Sequence, residues 1–583
     1  MTFLRRLAYA WPAHFWLIWL CGLIAVLAVP LWMFRKGWRE DGTLRVTEAQ
    51  PPQKLSKLVA AGFAAFVACY LGFMLWGEGF AYKDGHWFTE FTAIGKPSPP
   101  AIWTDSGRFW PLGYQEYNLL AHLSATATCY LAYGALQLVV GLWLLYLALW
   151  RESPRRRLLL FVSLMLAPAF GADFAELTYA DRNVVFCVCV LIFAVERYER
   201  RPRQTWLLLA IASSYCGLYY KETSVALFGG FAATRLLLTA WREGWQAMRR
   251  SPLAIGIVLA CACFAVELGL TLLPAGTSAY VDELSVGRLT AAMRYVAADP
   301  LLALFLVAFT ARVIRVLRSG ARFEPLWDAL AAGGVLHFAA LAGTGVAETY
   351  LLGPSELVAA VTLLRLTTRW WEERPAARPV LACVSAVGVT ATLLFGSFRL
   401  IQRKAVVWQT QRLADFVVGF YRKPEASETR LYLPAEEGVV MNFVSFLSYR
   451  GLPVRRSDHA PGREVIEVAG AAHFERELCV PSSDLVCKHD VARPGDLVVR
   501  LPEESWSAVP TASADAGLRH VRLEPLFQAT PTMLSGGLRP LVAMLYRVSP
   551  TLTGRFANQP LPDDWLRVSA AKVTPLVVDG APQ

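Results

Sequence analysis

Twelve apolar runs divide the first 400 positions of the chain, at approximately 12–34, 58–76, 130–150, 157–172, 183–197, 205–219, 223–241, 253–274, 300–317, 327–345, 355–370 and 378–398. A helix needs roughly 20 apolar residues to cross a bilayer, and several runs fall short, so their ends extend into polar flanks. Helices that satisfy their own backbone are the spanning element such runs permit. The pattern predicts a polytopic α-helical membrane protein of about twelve transmembrane helices. One interruption is long: between Gly77 and Thr128, about fifty residues rich in carboxylates, aromatics, Gly and Pro separate two runs. A loop of this length is functional or disordered, and its aromatic content favours order.

After Leu400 the pattern turns polar. T-R-L-Y-L-P reads as a strand, V-V-M-N-F-V-S-F-L-S-Y-R-G as a helix closed by Gly451, and L-P-V-R-R and G-D-L-V-V-R-L-P as further strands. Strand–helix–strand order favours a small α/β domain. The expected organisation is a membrane domain over residues 1–398 and an α/β domain of about 185 residues over 399–583.

Composition agrees with the membrane reading: 55% of residues are hydrophobic, 18% are charged, and mean hydropathy is +0.38. An ordinary soluble domain is roughly 25% charged. The net charge of +11 suggests nucleic acid until its distribution is considered. The arginines sit in alternate short linkers: Arg151 and Arg155–Arg157, Arg197–Arg203, Arg242–Arg250, Arg312–Arg322 and Arg365–Arg378. Positive-inside topology puts these linkers in the cytoplasm and the intervening loops outside. Loop 77–128 and the C-terminal domain then share the outer face, which in a bacterial inner membrane is the periplasm. The linker behind the first run holds six basic residues against two in the N-terminal tail, so that linker is placed inside.

Most of the eleven cysteines lie within apolar runs, as small hydrophobes. Cys479 and Cys487, in C-V-P-S-S-D-L-V-C, lie in the outward domain, where an oxidising compartment favours a disulfide; two unpaired thiols are the alternative.

The outer loops concentrate ionisable groups at membrane ends. The first holds Asp84, Glu90, Asp105, Arg108 and Glu116; the next holds Asp173, Glu176, Asp181 and Arg182. Lys221 and Glu222 follow in Y-Y-K-E-T, and Glu348 and Tyr350 in A-E-T-Y-L-L-G. Such groups near hydrocarbon persist where they face a cavity or a partner. A carboxylate serves as general base towards an acceptor hydroxyl, and a lysine or arginine holds a phosphate.

This layout resembles the GT-C superfamily of membrane glycosyltransferases, over roughly residues 58–398. The resemblance rests on a long first outer loop with an acidic residue, a second acidic outer loop, about a dozen spans and an outer domain. It implies an inverting enzyme that uses a polyprenyl-phosphate-linked sugar and a glycan, lipid or protein acceptor on the outer face. It implies an acid of the first outer loop as base; Asp105, in D-S-G-R-F-W-P-L-G, matches best and Asp84, in Y-K-D-G-H, is second. The acids of the second loop correspond to Asp173, Glu176 and Asp181. Lys221, with Arg182 or Arg108, would hold the phosphate, and Glu222, Glu348 and Tyr350 complete the substrate-binding set. Members differ in metal use, and Asp173-x-x-Glu176 leaves a divalent ion open.

Each residue has a structural alternative. Asp105 before Ser106-Gly107, and Asp84 before Gly85, are turn chemistry. Asp173 and Glu176 share a helix face and pair with Arg182. Lys221 and Glu222 neutralise each other. His86 and His122 read as interface histidines. A transporter or lipid flippase would place coupling charges near the midplane and show repeated halves; an assembly subunit would bind partners without catalysis.

Overall fold

The structure, a computed structural model, describes residues 8–38, 56–77, 79–80, 85–276, 287–319, 323–423, 431–433, 437–452, 468–470, 488–489, 497–500, 522–529 and 568–574. Every one of the twelve apolar runs falls on helix. They correspond to α1 (Phe15–Arg35), α2 (Lys57–Met74), α3 (Ala127–Ala148), the pair α4 (Pro154–Met165) and α5 (Pro168–Ala175), α6 (Asp181–Arg200) and α7 (Gln204–Tyr220). The remainder are α8 (Ser224–Glu243), α9 (Pro252–Ala275), α11 (Pro300–Ser319), α12 (Pro325–Thr344), α13 (Gly353–Glu373) and α14 (Arg378–Tyr421); a shorter helix, α10 (Arg288–Ala298), precedes α11. Among the described residues nine helices are long and apolar enough to cross a membrane, or ten if α4 and α5 form one broken span. The chain is a multi-pass membrane protein. Helix α6 has charged residues at both ends and α7 is 17 residues long; both lie among the other spans.

Local chemistry sets the helix starts. Ser56, Thr126 and Ser153 each accept a hydrogen bond from a backbone N–H three residues on, capping α2, α3 and α4. Pro168 explains the broken span. The residue before a proline is pushed out of helical geometry; Ala167 sits at φ −70°, ψ 143°, and α4 and α5 meet at a bend of 70°.

Helix α14 continues past the apolar run from which it starts. The boundary at 398/399 falls inside a single helix of 44 residues, about 66 Å at 1.5 Å per residue and twice the ~30 Å hydrocarbon core. Its second half leaves the bundle beside loop 77–128. There Lys404 donates to the carbonyls of Met74 (2.7 Å) and Trp76 (3.2 Å), at the end of α2.

Beyond α14, the described segments form a six-stranded sheet. Its order is β5 (Lys488–His489), β4 (Val468–Gly470), β3 (Leu431–Leu433), β6 (Leu497–Arg500), β8 (Val568–Thr574) and β7 (Arg522–Ala529). The first four strands run parallel, and β8 is antiparallel to both β6 and β7. T-R-L-Y-L-P contributes β3 and G-D-L-V-V-R-L-P contributes β6; L-P-V-R-R lies mostly outside the described residues. The expected helix is α15 (Glu437–Tyr449), closed by Gly451 at φ +85°. Helix α15 docks on the first loop: Asn442 accepts from His86, whose Nδ1 lies 2.9 Å away, and Thr89 donates to Ser445 at 3.1 Å. His86 is an interface histidine. Loop and α15 share a core of Phe80, Phe88, Tyr117, Leu413, Phe443 and Phe446, so they occupy the same end of the bundle.

The opposite end gathers the arginine-rich linkers. Arg365 bridges Glu152 (2.9 Å) and Glu324 (3.1 Å), and Arg369 bridges Glu324 (3.0 Å) and Glu373 (2.6 Å). Arg315 reaches Glu373 at 2.5 Å, and Arg312 forms a fork on Asp328.

Candidate functional site

The first loop approaches the bundle through a hairpin. Strands β1 (Ile102–Trp103) and β2 (Arg108–Phe109) pair Ile102 with Phe109 and Trp103 with Arg108. Thr104-Asp105-Ser106-Gly107 makes the turn, and Gly107 adopts φ +65°, a conformation that favours glycine. Asp105 is exposed at this tip. Below it, Arg108 Nε lies 3.2 Å from Glu222 Oε1, and the backbone N–H of Phe109 donates to the same oxygen at 3.0 Å. One carboxylate therefore fastens the hairpin to the turn between α7 and α8. Burial disfavours the Glu222 anion, but Arg108 and Lys221 outweigh it and hold the carboxyl below its usual range.

Lys221 stands next in that turn. Its Nζ is 3.8 Å from Asp181 Oδ2, at the start of α6, beyond hydrogen-bond reach. The same ammonium lies 5.8 Å from the centre of the Tyr350 ring, in the loop between α12 and α13. Tyr350 stacks on Tyr179 at 4.1 Å and 11°. Arg403, on α14, donates to the Tyr179 hydroxyl at 2.7 Å and meets Glu176 Oε1 at 2.9 Å. Side chains from four loops at this end of the bundle and from α14 thus converge. A small cavity beside them is lined by Gly77, Gly79, Glu176, Thr178, Lys404 and Val407, among others.

Arg182 is engaged on the other side of α6. It donates to the Tyr117 hydroxyl and lies 3.7 Å from Glu116, which also accepts from Asn183 at 2.7 Å. Burial raises the Glu116 carboxyl above its usual range, although Arg182 acts to lower it. The tyrosine flank is tied down by Tyr117 donating to the Leu177 carbonyl at 2.9 Å and Tyr114 donating to that of Thr178.

Asp173 is the extreme case. It is fully buried on α5, and neither oxygen has a hydrogen-bond partner among the described residues. Gly353 opens the space for it: a Cβ there would stand 1.8 Å from Asp173 Oδ2. The start of α5 is held by Glu356 of α13, which accepts from the N–H groups of Ala169 (2.9 and 3.0 Å) and Phe170 (2.6 Å).

Of the residues proposed from sequence, Arg108, Asp181, Lys221, Glu222 and Tyr350 lie in one connected group, and Glu176 joins it through Arg403 and Tyr179. Arg182 and Asp173 flank it. Asp105 lies at the hairpin tip, where its turn position also has a purely conformational explanation. Glu348 is partly buried in the same loop as Tyr350. Asp84, Cys479 and Cys487 lie outside the described residues. Arg403, Tyr179 and Glu356 stand outside the set proposed from sequence; Arg399 and Arg403, four apart just beyond an apolar run, carried a helical signal. Among the described residues no group of three or more His, Cys, Asp or Glu is arranged to hold a metal ion.

No family model matches the chain, and no curated protein matches it. Two solved structures of ArnT from Cupriavidus metallidurans are similar to it. The structure bound to undecaprenyl phosphate has 13% identity and a TM-score of 0.46, over 91% of this chain and 100% of that one. The apo structure has 15% identity and a TM-score of 0.44, over 80% of this chain and 95% of that one.

Proposed function

We propose that the protein is an inverting membrane glycosyltransferase of GT-C type, moving a sugar from a polyprenyl phosphate to a hydroxyl of an envelope glycan, lipid or protein on the outer face. The observation that carries this reading is the Lys221 turn. A buried cation stands between Asp181 and Tyr350, with the hairpin of the first loop fastened beside it through Glu222. Its Nζ, 3.8 Å from Asp181 Oδ2, is the charge that a phosphate oxygen would meet in a charge-assisted contact. Asp105, on the exposed tip of that hairpin, is free to meet an acceptor arriving from water.

In the reaction, the acceptor hydroxyl gives its proton to the Asp105 carboxylate as its oxygen attacks the anomeric carbon. The bond from that carbon to the phosphate oxygen breaks, and the lipid phosphate leaves with the electron pair. Lys221 and Arg108 offset the charge that develops there. Attack opposite the leaving phosphate inverts the anomeric centre.

The test is transfer from a polyprenyl-phosphate sugar in detergent, with lipid binding measured separately. Asp105→Asn is expected to lower turnover ~10²–10⁴-fold, the range for a general base, and to leave lipid binding intact. Lys221→Ala should weaken lipid binding by ~10–100-fold, the worth of a hydrogen bond to a charged group. Full activity of Asp105→Asn removes that residue from the mechanism. Full activity of both variants defeats the reading.

A further inference from the structure

Behind the hairpin, a buried carboxyl lies deep in the bundle. Glu267, on α9, is 5% exposed, and no cation pairs with it among the described residues. Its Oε1 is 2.8 Å from the Tyr219 hydroxyl; that hydroxyl is 3.2 Å from the Tyr215 hydroxyl, which lies 2.8 Å from the Trp19 carbonyl on α1. Gly22 makes the last contact possible, since a Cβ there would stand 2.5 Å from the Tyr215 oxygen. Three oxygen–oxygen contacts in line need three protons. Two tyrosines supply two. The third has one source within the chain, the carboxyl itself. An unpaired carboxylate at this depth would also carry a large desolvation cost, which a neutral acid avoids.

The chain ends at the candidate site. Tyr219 precedes Lys221 by two positions. Its backbone carbonyl accepts from Leu112 N–H at 3.0 Å, so the segment after the hairpin is bound to it. Its ring packs on Phe109 (5.9 Å), Phe264 (5.4 Å) and Phe15 (6.1 Å), and Phe109 in turn meets Trp11 of the N-terminal segment at 5.6 Å. The first loop is therefore held on either side of Lys221, at Tyr219 and at Glu222.

We infer that Glu267 is a protonated carboxylic acid heading a hydrogen-bonded chain, Glu267 to Tyr219 to Tyr215 to the Trp19 carbonyl, and that this chain positions the Lys221 turn against the N-terminal helix. The positioning half rests on the function proposed above; the protonation half does not. Glutamine keeps a donor at this point and alanine does not. Glu267→Ala and Tyr219→Phe should each raise KM for the lipid donor about five- to tenfold with kcat little changed, the effect of one lost hydrogen bond. Glu267→Gln should stay within about twofold of the parent. The double variant Glu267→Ala/Tyr219→Phe should cost little more than either alone, because both break one chain.

Infrared difference spectra of the parent against Glu267→Gln in lipid should show the carbonyl stretch of one protonated carboxylic acid, present at neutral pH and absent from the variant. A carboxylate band in its place overturns the inference, as does Glu267→Gln failing like Glu267→Ala, or a loss confined to kcat. An acid band in a parent protein that transfers no sugar refutes the proposed function, and the positioning half with it, but leaves Glu267 as the donor of the chain.

Discussion

The two ends of the helix bundle are built from the same residue types and use them oppositely. At the arginine-rich end, all eight carboxylate oxygens of Glu152, Glu324, Asp328 and Glu373 are hydrogen-bonded to side-chain or backbone donors, and Glu196 alone keeps one buried carboxylate oxygen, Oε2, without a partner among the described residues. At the end carrying loop 77–128, six buried carboxylate oxygens have no partner among the described residues: both of Asp173 and one each of Glu116, Glu176, Asp181 and Asp299. Ion pairs at the first end are 2.5–3.1 Å long; the second mixes such pairs, Arg403–Glu176 at 2.9 Å and Arg108–Glu222 at 3.2 Å, with the longer Lys221–Asp181 and Arg182–Glu116 at 3.8 and 3.7 Å. Saturated pairing holds linkers together and leaves little for a ligand. Buried acceptors without donors are costly unless something else satisfies them, and that is the condition of a binding site. The difference separates a clasp from a site without reference to net charge.

The sharpest way to break this comparison is to break the clasp. Glu152 is almost wholly buried and relies on Arg365 and Thr368. Arg365→Ala leaves the buried Glu152 with Thr368 and no cation, and leaves Glu324 with Arg369. Removing one partner of a buried pair costs ~3–5 kcal/mol, so the unfolding midpoint in denaturant should fall markedly. Transfer by the protein that remains folded should stay near the parent value. A variant of parental stability, or one that is stable but inactive, would show that the end is no clasp.

Much of this division is legible without the fold, and the reason is the solvent. Lipid forces long apolar runs to be helices, so the helices could be read from hydropathy, although nine or ten of those described, not twelve, are long and apolar enough to cross, and the arginine alternation identifies the linkers that share an end. Polar groups cannot enter hydrocarbon cheaply, so the acids had to collect at the helix ends. Partner choice was not legible. Arg108 with Glu222 and Arg365 with Glu152 join positions far apart in sequence, and nothing in a linker encodes which acid it meets. Arg403 was missed for a different reason. The polar residues after Leu400 read as the start of a new domain, whereas an extended helix that leaves the membrane also becomes polar while keeping its period. Asp105 shows the limit from the other side: D-S-G fits a turn and a base equally well, and the hairpin satisfies the turn requirement without deciding the chemistry.

A second prediction concerns the strained end. Asp299 caps α11 by accepting from Leu301 N–H at 2.9 Å. Burial pushes its carboxyl up from 3.8 to about 6. The folded protein then holds the proton at pH values where the unfolded chain has lost it. Stability from this group is full below pH 3.8 and declines as pH rises through about 6. Asp299→Asn keeps a good cap and has nothing to titrate. Its stability should vary less across that window, by roughly 1–3 kcal/mol, because a tenfold change in proton affinity is worth about 1.4 kcal/mol. Parallel pH profiles for the two proteins would mean that this carboxyl is not strained.

The smallest effect belongs to the rim of the clasp. Arg315 and Glu373 lie 2.5 Å apart, but their side chains are 26% and 33% exposed. Water and salt screen such a pair, and holding two long side chains in one geometry costs entropy. Its worth is ~0–1 kcal/mol. Glu373 also keeps Arg369 at 2.6 Å when Arg315 is removed, so no buried charge is stranded. Arg315→Ala should therefore move the unfolding midpoint by a small fraction of the Arg365→Ala shift, and less still at high ionic strength, where the remaining attraction is screened. The two arginines contact the same network within one end. If their substitutions cost the same, saturation of the buried carboxylates is not what holds the linkers, and the contrast between the ends reduces to a difference in the number of ion pairs.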